Sequence, residues 1–235
     1  LKFNQWSRVL ESIAGMRYEA SVPQYYYDLT DIKAAAFNPF NGLIYLSDSG
    51  DSGFDLVLKE SGNSIATGGT YRKKGPSYYN VSDMDFSPDG RYHVSASSSS
   101  NSFISGTVSD NGSPKLLNIS EAAYSALERI RFVNGQTVVA ADSEGLTSFK
   151  VIPNGVYTKY KRTEMSVVDI ACDGWNYFYV ADADGHVVSY SVSGYEISEL
   201  GSSDLGGGIL GICLNGSNLL ALTSDSRVAL FFVIE

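Results

Sequence analysis

The sequence predicts an all-β fold, and three observations carry that expectation. First, a segment of β-type apolar pattern ending in a Gly, Asn or Asp turn recurs five times, as DIKAAAFNPFNG (31–42), VSDMDFSPDG (81–90), LERIRFVNGQ (127–136), VVDIACDGWN (167–176) and LGICLNGSN (210–218). Second, the anchor positions Phe37, Phe86, Phe132, Ala171 and Cys213 are separated by 49, 46, 39 and 42 residues. Third, 23 glycines and 16 tyrosines among 235 residues suit many strands and tight turns.

The elements follow in order along the chain. With Leu1 in first position, the sequence predicts a processed or excised chain. Residues 1–15 contain no continuous apolar run of the signal-peptide kind. Trp6, Val9, Leu10, Ile13 and Ala14 recur at helical spacing, with Asn4 as N-cap and Gly15 as stop. A short amphipathic helix is expected over about 5–14. It packs on its own domain or docks into a partner's groove.

After each of the five turns comes a second strand: 43–49, 92–98, 137–143, 177–183 and 219–225. A tight turn rich in Asp or Ser leads to a third: 54–60, 103–109, 146–152, 186–192 and 228–234. Weaker, more polar fourth strands are expected at 64–72, 115–119, 156–162 and 195–200, as suits the outer edge of a sheet. One helix is expected inside the array, over Ser120–Glu128, where Ala123, Leu127 and Ile130 share a face. Four short strands in a period near about 40–45 residues predict a β-propeller. The blades fall at approximately 31–72, 81–119, 128–162, 166–202 and 208–235, giving one domain over 16–235. The chain is too short for seven blades. The last unit lacks a fourth strand, so a strand from 16–29 is expected to pair with Val228–Ile234 and close a five-bladed ring.

Three segments tie this array to a known family. The turn Ser87–Gly90 (SPDG) and the stretches VAADSEGLTSFKV (139–151) and YVADADGHVVSYSV (179–192) resemble WD40 β-propeller blades. The resemblance covers about 31–235 and implies a propeller scaffold. The chain departs from the family in lacking the Trp-Asp pair after the third strand and the Gly-His pair before the first.

Composition narrows the function. A formal net charge of −9 opposes binding to nucleic acid or an anionic membrane. No apolar run reaches the roughly 20 residues that span a bilayer. His93 and His186 have no triad partner at a suggestive spacing and read as ordinary strand residues. No zinc-type spacing occurs, and no cofactor or metal is expected. Cys172 and Cys213 sit on neighbouring first strands, one position out of phase, so their side chains point to opposite sides; buried, unreactive thiols are expected. Asp48, Asp51, Asp55, Asp142, Glu144, Asp182, Asp184 and Asp225 cluster in turns, where Asp and Gly serve hairpin geometry. The Asp182–Gly185 turn lacks the remaining ligands of a calcium loop. Asn80, Asn111, Asn118 and Asn215 each begin an Asn-x-Ser sequence, which permits glycosylation without arguing for secretion.

The leading expectation is a non-catalytic platform for another protein, or a subunit of a larger assembly, with no nucleic acid or membrane partner. Its surface is expected on the loops between fourth and first strands, at 73–79, 120–128 and 202–207. The site residues are Arg72, Lys73 and Lys74 with Tyr78 and Tyr79, where tyrosine gives contact area at low entropic cost, and Trp6 of the N-terminal segment. The alternative is a five-bladed carbohydrate-binding or glycoside-hydrolase-like propeller, with a sugar or other small molecule as ligand. Its carboxylates would come from Asp31, Asp83, Asp85, Glu128 and Asp169, of which Asp83, Glu128 and Asp169 hold roughly corresponding positions. The compartment stays open. The cytoplasm is slightly favoured, beside a secreted form whose signal has been removed.

Overall fold

A computed structural model describes residues 2–4, 9–11, 32–48, 54–61, 64–71, 81–99, 102–108, 114–121, 126–151, 157–194 and 196–232. Among these, every regular element is a β-strand. Lys2–Asn4 (β1) and Val9–Glu11 (β2) form a hairpin of their own. Five antiparallel sheets follow in chain order. The first holds Ile32–Asn38 (β3), Leu43–Asp48 (β4), Phe54–Ser61 (β5) and Ser64–Tyr71 (β6). The second holds Val81–Phe86 (β7), Tyr92–Ser97 (β8), Ser102–Val108 (β9) and Pro114–Glu121 (β10). The third holds Leu127–Phe132 (β11), Thr137–Asp142 (β12), Gly145–Val151 (β13) and Tyr157–Glu164 (β14). The fourth holds Val167–Cys172 (β15), Tyr177–Asp182 (β16), His186–Ser193 (β17) and Glu196–Asp204 (β18). The fifth holds Ile209–Asn215 (β19), Asn218–Thr223 (β20) and Val228–Phe232 (β21).

First strands stand side by side: β3 by β7, β7 by β11, β11 by β15 and β15 by β19. They form the inner wall, and the later strands of each sheet lie outside them. The core therefore sits between sheets. Tyr45 and Phe86 join the first two, with ring centroids 4.7 Å apart. Phe103 and Phe149 join the second and third at 5.3 Å. Phe178 carries the third interface and Leu219 the fourth. Fully burying one such side chain stabilises by about 1.5–3 kcal/mol.

Every inner strand carries a register shift at the same place: 32/34, 81/83, 127/129, 167/169 and 209/211. The first residue beyond this bulge is Ala34, Asp83, Arg129, Asp169 or Gly211 in turn. By the same register, Cys172 and Leu214 are the counterparts of Phe37, Phe86 and Phe132. Each lies one residue beyond the expected anchors Ala171 and Cys213.

Two expected helices are corrected. Over 120–128, β10 runs to Glu121 and β11 starts at Leu127, leaving no helix of that length; residues 122–125 lie outside the described set. The bulge is the physical reason. It inserts one residue between the buried Leu127 and Ile130 and so mimics the i, i+3 spacing of a helix. Over 5–14, Val9–Glu11 is a strand, with Leu10 opposite Phe3 and Glu11 opposite Lys2. A ten-residue helix is marginal alone, and here the backbone of 9–11 pairs with β1 instead. The rest of that span, and the closing strand expected from 16–29, lie outside the described residues. Among those described, β21 ends the fifth sheet.

The turn between β7 and β8 locks the first two sheets together. Asn38 Nδ2 donates to the Gly90 carbonyl at 2.9 Å. Gly90 has φ +67°, and a Cβ there would stand 2.7 Å from the Phe40 backbone nitrogen. Gly42, with φ +68°, has open space around it. Gly90→Ala should thus cost roughly 1–3 kcal/mol and lower Tm by roughly 3–10 °C. Gly42→Ala, which carries backbone strain alone, should cost less; equal losses in thermal unfolding would refute the contact.

Candidate functional site

Two cavities are built from residues that sequence reasoning touched only in part. The first lies on the axis and has a volume of about 560 Å³. All five inner strands line it, through Phe37, Asp85, Arg131, Asp169, Cys172 and Ile212 among others. Here the acids of the carbohydrate expectation come together selectively. Asp83 Oδ1 accepts the N–H of Met84 at 3.0 Å, and Oδ2 accepts that of Ile130 in the next sheet at 2.9 Å. Asp169, the bulge counterpart two sheets on, repeats the pattern with Ile170 and Ile212, each at 2.9 Å. Asp85 Oδ2 accepts from Phe132 N–H at 2.8 Å.

Arginines complete the set. Arg131 pairs with Asp83, and Arg129 lies 3.7 Å from Asp169. Gly211 leaves room for this, since a Cβ there would stand 3.3 Å from Asp169 Oδ2. Burial pushes the Asp83 carboxyl up against the pull of Arg131 and the Ile130 N–H. It pushes Asp85 up to about 6, with Asp83 adding to the rise. Burial also holds the Cys172 thiol well above its ordinary value, so it stays protonated.

Glu128 does not join the group. It occupies the bulge, is exposed, and has Arg129 rather than Asp83 as its sheet's equivalent neighbour. One residue of offset turns a side chain to the other face. Asp31 lies outside the described residues. Cys213 is free and exposed, correcting the expectation of two buried thiols; Cys172 is free and half-buried.

The acidic turns build hairpins as expected. Asp142 Oδ1 accepts from Glu144 and Gly145 N–H at 2.9 Å, and both its oxygens take the Arg162 guanidinium, at 2.7 and 2.9 Å. Asp182 accepts from Asp184 and His186 N–H, and its Oδ2 meets His186 Nδ1 at 3.0 Å. Among the described residues, Asp182, Asp184 and His186 are the group whose side chains could reach one metal ion. The hairpin already employs the first of these.

His93 is less ordinary than its strand position suggests. Its Nε2 is buried with no hydrogen-bond partner among the described residues, 6.3 Å separating its ring from that of Phe86. Burial pushes its pKa down to about 4.

The second cavity, about 810 Å³, opens between the fourth and fifth sheets. Tyr177, Tyr179, Trp175 and Leu200 line one side, Leu214 and Phe231 the other. Trp175 is 78% exposed and Leu200 58%, unusual for such large apolar groups. The turn that presents Trp175 is held by Asp173, whose Oδ1 accepts from the N–H of Trp175, Asn176 and Tyr177 at 2.7–3.1 Å. Trp175 sits in a Gly- and Asn-bearing turn that reads in the sequence as an ordinary hairpin; a tryptophan in a turn, with no core strand to join, is the signal that marks it. The expected residues Trp6, Arg72, Lys73, Lys74, Tyr78 and Tyr79 lie outside the described set.

Comparison with known proteins gives the fold its class. No protein-family model matches, and no curated protein sequence does. Solved structures do. The β-propeller domain of Myceliophteria thermophila Cps50 (Swd1) superimposes with a TM-score of 0.67 at 9% identity, covering 86% of this chain and 70% of that one. A Lactobacillus plantarum protein gives 0.62 at 14%, covering 87% and 71%. At such identities the likeness shows fold alone: the chain has a β-propeller fold.

Two predictions follow from the axial geometry and the buried imidazole. Asp83→Ala would leave Arg131 largely buried without its partner and should destabilise by about 3–5 kcal/mol. Adding Arg131→Met should recover part of this, and no recovery in the double variant would refute the pairing. For His93, the unfolded chain binds the proton below about pH 6.5 while the native state resists it down to about 4. Native stability should fall as pH drops through that window, by up to ~3 kcal/mol, relative to His93→Phe. A difference independent of pH in urea unfolding would remove the assignment.

Proposed function

We propose that this chain is a non-catalytic β-propeller serving as a protein-interaction platform, alone or as a subunit of an assembly. The observation that carries this reading is the cleft between the fourth and fifth sheets, with Trp175, Tyr177 and Leu200 presented to solvent. Rigid aromatic anchors beside a concavity are the usual centre of a protein interface. The axial carboxylates support the same reading from the other side. Asp83, Asp85 and Asp169 each hold a backbone N–H of the neighbouring sheet, an employment that suits structure better than proton shuttling.

The ring is read as five-bladed. Four sheets have four strands and the fifth has three, and Val228 and Leu230 on its edge strand are 63% and 52% exposed. A strand from 16–29 pairing with β21 would cover that edge. The loop bearing Arg72, Lys73, Lys74, Tyr78 and Tyr79 is kept as a second contact region, and Trp6 as a third.

Affinity purification from the native source tests the reading, with the wild type beside Trp175→Ala/Leu200→Ser. We expect defined proteins to be lost from the variant while its Tm is unchanged. Identical recoveries from both, and from Tyr78→Ala/Tyr79→Ala, would overturn the platform.

A further inference from the structure

We propose that the cleft between the fourth and fifth sheets recognises a cationic side chain, arginine or lysine, carried on a basic segment of a partner protein. This rests on the platform reading and names the chemistry of its ligand. Three features of the described residues converge on it.

The first is the wall. Trp175, Tyr177 and Tyr179 come from one turn and the strand that follows it, so three aromatic rings share one side of a cavity large enough for a long side chain. A cation over such faces gains about 0.5–2 kcal/mol. Arginine and lysine also bury their methylene stems against apolar surface, here Leu214 and Phe231.

The second is the charge. Among the described residues, Asp173 is the one residue lining the cleft that carries a charge at neutral pH. Its Oδ1 is consumed by three backbone N–H groups, while Oδ2 has no partner among the described residues. The carboxylate is thus fixed in place by its own turn, with one oxygen left for a ligand. It is close enough to Tyr179 to help raise the phenol's pKa, after burial.

The third is the charge of the neighbouring strand. Outer strand β18, whose Leu200, Gly201, Ser202 and Ser203 line the cleft, also carries Glu196, Glu199 and Asp204 and no basic residue, within a chain of net charge −9. Negative charge on a strand that lines the cleft favours a basic partner over an acidic one.

The test titrates the protein with a dodecapeptide of alternating Gly and Arg, its Gly/Lys counterpart and its Gly/Glu counterpart, following the Trp175 indole N–H resonance. We expect saturable movement with both basic peptides and none with the acidic one. Asp173→Asn keeps the oxygen that holds the turn and should weaken binding about fivefold; Glu164→Gln, an exposed charge elsewhere, should leave it unchanged. An indole unmoved by basic peptides overturns the proposal. So does equal weakening by Asp173→Asn and Glu164→Gln, which would mark attraction to net charge alone. If Trp175→Ala/Leu200→Ser still loses native proteins while basic peptides fail to bind, the platform stands and the cationic ligand falls. If neither effect is seen, both fall.

Discussion

Among the described residues, neighbouring sheets share no hydrogen-bonded ladder, and the rest of the structure depends on how that gap is bridged. Inner strands present backbone N–H groups toward the axis, where an unpaired donor costs about 1–3 kcal/mol. Asp83 and Asp169 solve this identically. One oxygen caps the next residue's own N–H, and the other reaches the N–H of the following sheet. The recurring bulge makes it possible, because it turns the residue after it toward the neighbouring strand. Where Arg129 replaces an acid at that position, it reaches Asp169 instead, so the third and fourth sheets are linked by charge. Where Gly211 stands there, the absence of a side chain admits the oxygen.

Much of this architecture was legible in the sequence, and the legible part is local. Strand spans follow from alternation, and the acidic turns follow from Asp accepting N–H groups two to four residues on, as at Asp142 and Asp182. What sequence alone could not show spans 43–47 residues: the bonds from Asp83 to Ile130, Asp85 to Phe132 and Asp169 to Ile212. Without the bulge register, Glu128 passes for the counterpart of Asp83, when Arg129 is. The same inserted residue gave Leu127 and Ile130 a helical spacing inside a strand. A single repeated irregularity thus accounts for both departures.

The distribution of apolar exposure separates two kinds of surface. Phe37, Leu210, Leu222, Val228 and Leu230 are exposed on the first and fifth sheets, the two ends of the array. Their exposure is a property of where the described sheets stop. Trp175, Tyr177 and Leu200 belong to the fourth sheet, which has both neighbours and all four strands. Trp175 and Tyr177 are held by the Asp173 turn on a sheet whose four strands are all described, and this is why the cleft, rather than the edge, carries the functional reading.

Two of the buried titrating groups, Asp85 and His93, oppose each other. Asp85, at about 6, favours its neutral form, so its contribution is present below its unfolded value of 3.8 and is lost as pH rises through 6. His93, at about 4, also favours its neutral form, but for a base that contribution is present above 6.5 and is lost as pH falls toward 4. Between roughly pH 4 and 6 the slopes have opposite sign and comparable size, so the pair together leaves stability nearly level there. Removing either group unmasks the other. Burial of one acid and one base on adjacent strands of the second sheet sets the gain from Asp85 on acidification against the loss from His93.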